Sequence, residues 1–112
     1  MEHLFETTRE RIARILRETE KPLTVDEIIN MLEDRSIKSQ DIYEHLEHVA
    51  KSIYIKTRGN EILVMEPPVC RKCGYVFKEL NKPKKPGKCP RCKSEWISSP
   101  RFMIIKRNEE KK

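Results

Sequence analysis

An α+β chain in two unlike parts is what the sequence predicts, on three observations. Up to Glu66 the apolar residues recur at helical spacing, and each run opens on a capping signal. Pro67-Pro68 then stops any helix or inner strand, because neither proline has an amide proton to give. Beyond it lie all four cysteines of the 112-residue chain, in two close pairs. The division expected is a helical domain over 1–66, a metal-held ribbon over 67–99, and a C-terminal strand with a solvated tail over 100–112.

The first helix is expected from about Thr8 to Glu18, with Ile12, Ile15 and Leu16 on one face and Thr7 and Glu10 forming a capping box. The second has the best start signal in the chain. Thr24 is its N-cap, Glu27 closes the box, and Leu23 with Ile28 is placed as a hydrophobic staple. Ile28, Ile29 and Leu32 make its buried stripe, and it ends near Glu33. Residues 34–38 form a link longer than the usual tight turn between two such helices. The third helix takes Ser39 as N-cap and Asp41 in its first turn, and turns Ile42, Leu46, Val49 and Ile53 inward. After it "IYIKT", a turn at Arg58-Gly59-Asn60 and "EILVM" read as a β-hairpin. Three helices and a hairpin outline a winged helix-turn-helix. "RFMIIKR" is expected to be a strand packing back on the helical half, since four consecutive apolar residues left exposed invite aggregation.

Cys70, Cys73, Cys89 and Cys92 follow the spacing C-x2-C-x15-C-x2-C. Each C-x2-C turns two thiolates toward one ion from a tight knuckle, and two knuckles complete a tetrahedron. Gly74 gives the first knuckle its permissive backbone and Pro90 stiffens the second. About thirty residues are too few to fold on a core of their own, so metal binding must supply the folding energy. "CGY" and "CPRC" resemble the knuckles of rubredoxin, an iron protein, yet the spacer is short and only Tyr75, Phe77 and Trp96 surround the site. One Zn2+ per chain is expected, with iron the lesser alternative and no coordination position open for catalysis.

Charge divides the chain as sharply as the prolines do. Residues 1–66 hold 10 Lys and Arg against 14 Asp and Glu, a net of −4, whereas residues 67–112 hold 14 against 4, a net of +10. Lys82, Lys84, Lys85 and Lys88 stand along a proline-stiffened spacer, a comb suited to phosphates. Gln40 and Lys51 on the third helix and Lys56 and Arg58 at the hairpin tip complete the candidate DNA contacts. Against them, Glu44 and Glu47 share the outer helix face, which then repels phosphate or serves a protein partner. His45 and His48 lack a further ligand, so they are read as ordinary helix residues.

"LTVDEIINML", the helix and hairpin after it, and "CRKCGY…CPRC…RF" together resemble an archaeal family of transcriptional regulators, in which a winged helix-turn-helix is joined to a rubredoxin-like zinc ribbon. The resemblance covers nearly the whole chain and implies zinc on the four cysteines and a DNA-related role. The rival reading is an adaptor whose acidic helical domain docks a protein, with little DNA binding. Nothing suggests an enzyme or a small-molecule substrate: there are three glycines and no phosphate-binding glycine loop. No apolar run is long enough for a membrane span, and a cytoplasmic protein is expected.

Overall fold

A computed structural model of the chain describes residues 6–107, so the tail expected at 108–112 lies outside the described residues. Helix α1 spans Thr8–Glu18, α2 Val25–Leu32 and α3 Ser39–Lys56; strand β1 spans Glu61–Glu66 and β2 Arg101–Lys106. No helix among the described residues is long and apolar enough to cross a membrane.

Both N-terminal capping boxes form. Thr7 Oγ1 accepts the Glu10 amide while the Glu10 carboxylate accepts that of Thr7, and Thr24 and Glu27 repeat the exchange. The Thr24 amide holds the Glu27 carboxyl below its usual range against the opposing pull of burial, with Arg101 and Lys21 assisting. Helix α2 ends on Glu33 in the left-handed region at φ 58, and Asp34 then accepts the Ser36 amide and hydroxyl, which shapes the link to α3. The N-cap of α3 is Lys38 and not Ser39. The Asp41 carboxylate reaches back to the Lys38 amide at 3.0 Å, which draws Ser39 into the first turn.

The expected hairpin does not form. Ile53, Tyr54, Ile55 and Lys56 complete α3, because Ile53 continues the inward face of Ile42, Leu46 and Val49 and is buried at 4% exposure. As a strand, Ile53 and Ile55 would share a face, yet Ile55 is 74% exposed. Arg58-Gly59-Asn60 is consequently a helix-to-strand turn, with Arg58 at φ 55 and Gly59 at φ 82. The partner of β1 is β2, antiparallel in the register Glu61↔Lys106 to Glu66↔Arg101. Leu23 flanks β2 on its other side and exchanges both backbone hydrogen bonds with Phe102, at 2.8 and 2.7 Å. Residues 67–100 are thus inserted between two paired strands.

Ile12, Leu16, Ile28, Ile42, Leu46 and Phe102 are fully buried where the helices meet this sheet, and the Tyr43 ring meets Phe102 edge-on at 6.4 Å. The C-terminal strand therefore supplies the centre of the helical core. Glu61, at 9% exposure, is held by the Arg17 guanidinium at 3.0–3.1 Å. A carboxylate so deep needs such a partner, and the pair fastens α1 to β1.

Candidate metal centre

Two knuckles of the same construction carry the cysteines. In the first, the Cys70 amide donates to the Tyr75 carbonyl and the Gly74 amide to the Cys70 carbonyl, each at 2.8 Å. In the second, the Cys89 amide donates to the Ser94 carbonyl at 2.8 Å and the Lys93 amide to the Cys89 carbonyl at 2.9 Å. Gly74 and Lys93 hold equivalent places at φ 85 and φ 68. The sequence names only the glycine, because nothing local marks Lys93 as left-handed.

The four Sγ atoms lie within 4.8 Å of one another, with Cys70 to Cys92 and Cys73 to Cys89 both at 3.6 Å. A metal–sulfur bond of about 2.3 Å in a tetrahedron implies an edge of about 3.8 Å, so the cage fits one ion on four thiolates. Cys70 and Cys89 are buried, Cys92 is half-buried and Cys73 is exposed. Ile97 is the other buried residue of this cluster, flanked by Tyr75 and Phe77 packed edge-on at 5.1 Å. So small an apolar cluster cannot order thirty residues, and the ion must link the knuckles.

Electrostatics prepare two of the sulfurs. Burial opposes ionisation of Cys70, but the amides of Cys73 and Lys72, with hydrogen bonds from the Cys92 and Cys73 thiols, outweigh it and bring Cys70 down to about 6. Burial likewise opposes Cys89, whose thiol is nonetheless lowered by the amides of Cys92 and Arg91 at 3.4 and 3.3 Å. Cys92 is raised to about 11: the Ser94 amide favours its thiolate, yet burial and the three neighbouring cysteines dominate. A bound cation reverses that last effect by neutralising the crowded thiolates.

The candidate nucleic-acid residues fall into separate groups. Lys84 and Lys85, with Pro83, face Gln40, Tyr43, Glu44 and Glu47 across a cleft of about 380 Å³. Lys82 Nζ reaches Glu47 Oε2 at 3.8 Å. Lys88 is exposed beside the second knuckle. Lys56 and Arg58 lie with Lys106 at the C-terminal end of α3, away from the Gln40–Glu47 stretch that the lysine loop faces. Lys51 lines a third, mainly apolar groove. No local pattern marks the loop-to-helix contact, and the opposite charges of the two halves are its signal in the sequence.

Residues 7–64 match the family described as PF0610-like, N-terminal, and residues 67–107 match the PF0610 rubredoxin-like zinc beta-ribbon domain. The chain belongs to the PF0610-like family. Its structure is similar to the solution NMR structure of protein PF0610 from Pyrococcus furiosus, with a TM-score of 0.72 and 36% identity over 94% of each chain. It is also 36% identical over 83 residues to an adenylate kinase of Pyrococcus abyssi (strain GE5 / Orsay). That match takes in 70% of this chain but 34% of the kinase, so the chain spans about a third of the length of that relative. In this PF0610-like chain the match to the ribbon domain runs through β2, the strand that closes the helical core.

Proposed function

We propose that this chain is a non-enzymatic, zinc-bound protein of transcription that holds DNA through its ribbon, built as a winged helix-turn-helix whose wing is replaced by that ribbon. The strand order Leu23–β2–β1 against three helices supports the architecture: in a winged helix a short loop joins the last two strands, and here residues 67–100 stand in its place. Four thiolates in a tetrahedron suit zinc and iron alike, and zinc is favoured because few rings surround the cage, Trp96 being 63% exposed. The adenylate kinase match lends no phosphotransfer reading, since it spans 34% of that protein and this chain's three glycines form no phosphate loop.

One observation carries the choice of surface. The Lys82–Glu47 pair sets the acidic outer face of α3 beside the ribbon loop, which disfavours that face as a phosphate contact. Lys84, Lys85 and Lys88 form no ion pair among the described residues, Lys84 and Lys85 facing Glu44 and Glu47 only across the cleft. Three phosphate-binding lysines give a slope of log affinity against log salt of about −3. Fluorescence anisotropy with duplex DNA tests this. Glu47→Gln releases Lys82 and steepens the slope toward about −4, whereas Gln at 84, 85 and 88 flattens it toward zero. A lysine variant with undiminished slope overturns the ribbon as the contact. Absence of binding by the native chain at low salt favours the adaptor, in which the exposed Glu44 and its acidic neighbours dock a basic protein.

A further inference from the structure

The Leu23 bridge fixes which way every backbone group of the sheet points. Phe102 gives both its amide and its carbonyl to Leu23, so it turns neither toward β1, and the same parity holds for Ile104 and Lys106. Their cross-strand partners Met65, Leu63 and Glu61 therefore direct their backbone groups outward, to the far edge of β1. The Glu61 amide is taken there by Thr57 Oγ1 at 3.0 Å. Those of Leu63 and Met65 have no partner among the described residues.

The surroundings of this edge are apolar. Ile55 and Tyr54 are 74% and 51% exposed, and with Ala50, Lys51, Ile62 and Leu63 they line a groove of about 470 Å³ between α3 and β1. On the outer sheet face Ile62 pairs with Ile105 and Val64 with Met103, and none of the four belongs to either apolar cluster. Such an edge, with aliphatic residues and unmet amides side by side, is a template for another strand.

A second copy of β1 fits it. Laid antiparallel about a two-fold axis at Leu63, each Leu63 amide meets the other copy's Leu63 carbonyl, and each Met65 amide meets the other copy's Glu61 carbonyl. Ile62 then stands beside the other copy's Val64. The charges allow it as well: Glu66, which ends β1 and is 60% exposed beside Arg101 at 3.7 Å, would come to the Lys56 and Arg58 end of an antiparallel copy, where Glu61 is already held by Arg17. We propose that two chains join through their β1 edges into one continuous sheet, with Ile55 and Ile62 buried at its flank.

Sedimentation equilibrium across low-micromolar to millimolar concentrations, paired with amide hydrogen exchange, tests the pairing. A dimer is expected whose Leu63 and Met65 amides gain protection as concentration rises, while those of Ile62 and Val64, which face β2, stay protected throughout. Ile55→Lys changes an exposed residue, so the thermal melt of the dilute monomer stays put while the dimer dissociation constant rises roughly 100-fold. Ile62→Lys is the independent second variant and weakens the dimer in the same direction. Monomer at millimolar concentration overturns the proposal and leaves the edge to a strand of a different protein. So does a dimer with unprotected Leu63 and Met65 amides, or one indifferent to Ile55→Lys.

Discussion

Lys93 occupies, with a side chain, the left-handed position that its counterpart knuckle gives to Gly74. A Cβ in that region costs ~1–2 kcal/mol, and the extra freedom of glycine in the unfolded chain cancels ~0.5–1 kcal/mol of any gain from removing it. Because folding of the ribbon and metal binding are one event, the remaining ~0.5–1 kcal/mol appears as affinity, roughly two- to five-fold. Lys93→Gly also removes a positive charge near an anionic site, so the fair comparison is with Lys93→Ala, which loses the same charge and keeps the Cβ. Gly74→Ala is the mirror experiment. A Cβ there meets nothing within 4 Å, so the loss is of backbone origin alone and of similar size. Cobalt titration followed through the thiolate charge-transfer band, with zinc as competitor, reads both. Lys93→Gly should bind more tightly than Lys93→Ala, and Gly74→Ala less tightly than the native chain. Equal affinity of the two Lys93 variants would refute the strain argument.

Phe102→Ala removes a fully buried ring and should cost ~3–5 kcal/mol, lowering the melting temperature of the helical half by more than about 12 °C while the cobalt spectrum of the ribbon is retained. An unchanged melt would show that β2 does not complete that core. Strong chelation, or Cys89→Ser, should abolish amide dispersion over residues 69–97 and leave the signals of Ile28 and Leu46 in place, since β2 lies outside that span and still brings Phe102 to the helices; dispersion that survives chelation contradicts a metal-dependent ribbon. Acid should release the metal, because each thiolate must take back a proton. Cys70 ionises near 6 without the ion, and a bound ion competes with the proton, so release is expected below that value; a metal content that does not fall on acidification argues against thiolate ligation.

The parts of the fold legible in the sequence are those set by near neighbours. Thr7 with Glu10 and Thr24 with Glu27 are boxes closed within one turn, and the cysteine spacing encodes its own geometry. The parts the sequence hides depend on distant residues. Ile53 to Lys56 are β-branched or aromatic enough to suggest a strand, yet Ile53 is claimed by a helical core that Phe102 completes from beyond the ribbon. The nearest apolar run suggests itself as the partner of β1, whereas the strand expected at the C-terminus takes that place after thirty-four intervening residues, and no local period reports a register at that range. The sequence offers Lys82 as a phosphate contact and Glu47 as a residue that repels phosphate or serves a protein partner, and only the folded chain shows the two in contact.

The insertion of the ribbon between β1 and β2 has a consequence for the order of assembly in time. During synthesis Phe102 and Ile104 emerge last of the buried residues, so the helices must wait for their central side chain until the ribbon has been made. An unclosed ribbon is a slack loop of thirty-four residues that the search for β1 must span. A metal-closed one brings the two strand ends together through the bridge of Cys70 to Ile97 and the Ser98–Val69 hydrogen bonds, in place of a short turn of about four residues. The difference in closure entropy is about 2 kcal/mol, worth roughly twenty- to thirty-fold in rate if closure limits the search. Metal capture by the last third of the chain thereby becomes a kinetic helper for the first two thirds, and refolding with the ion withheld until later should be slower by about that factor.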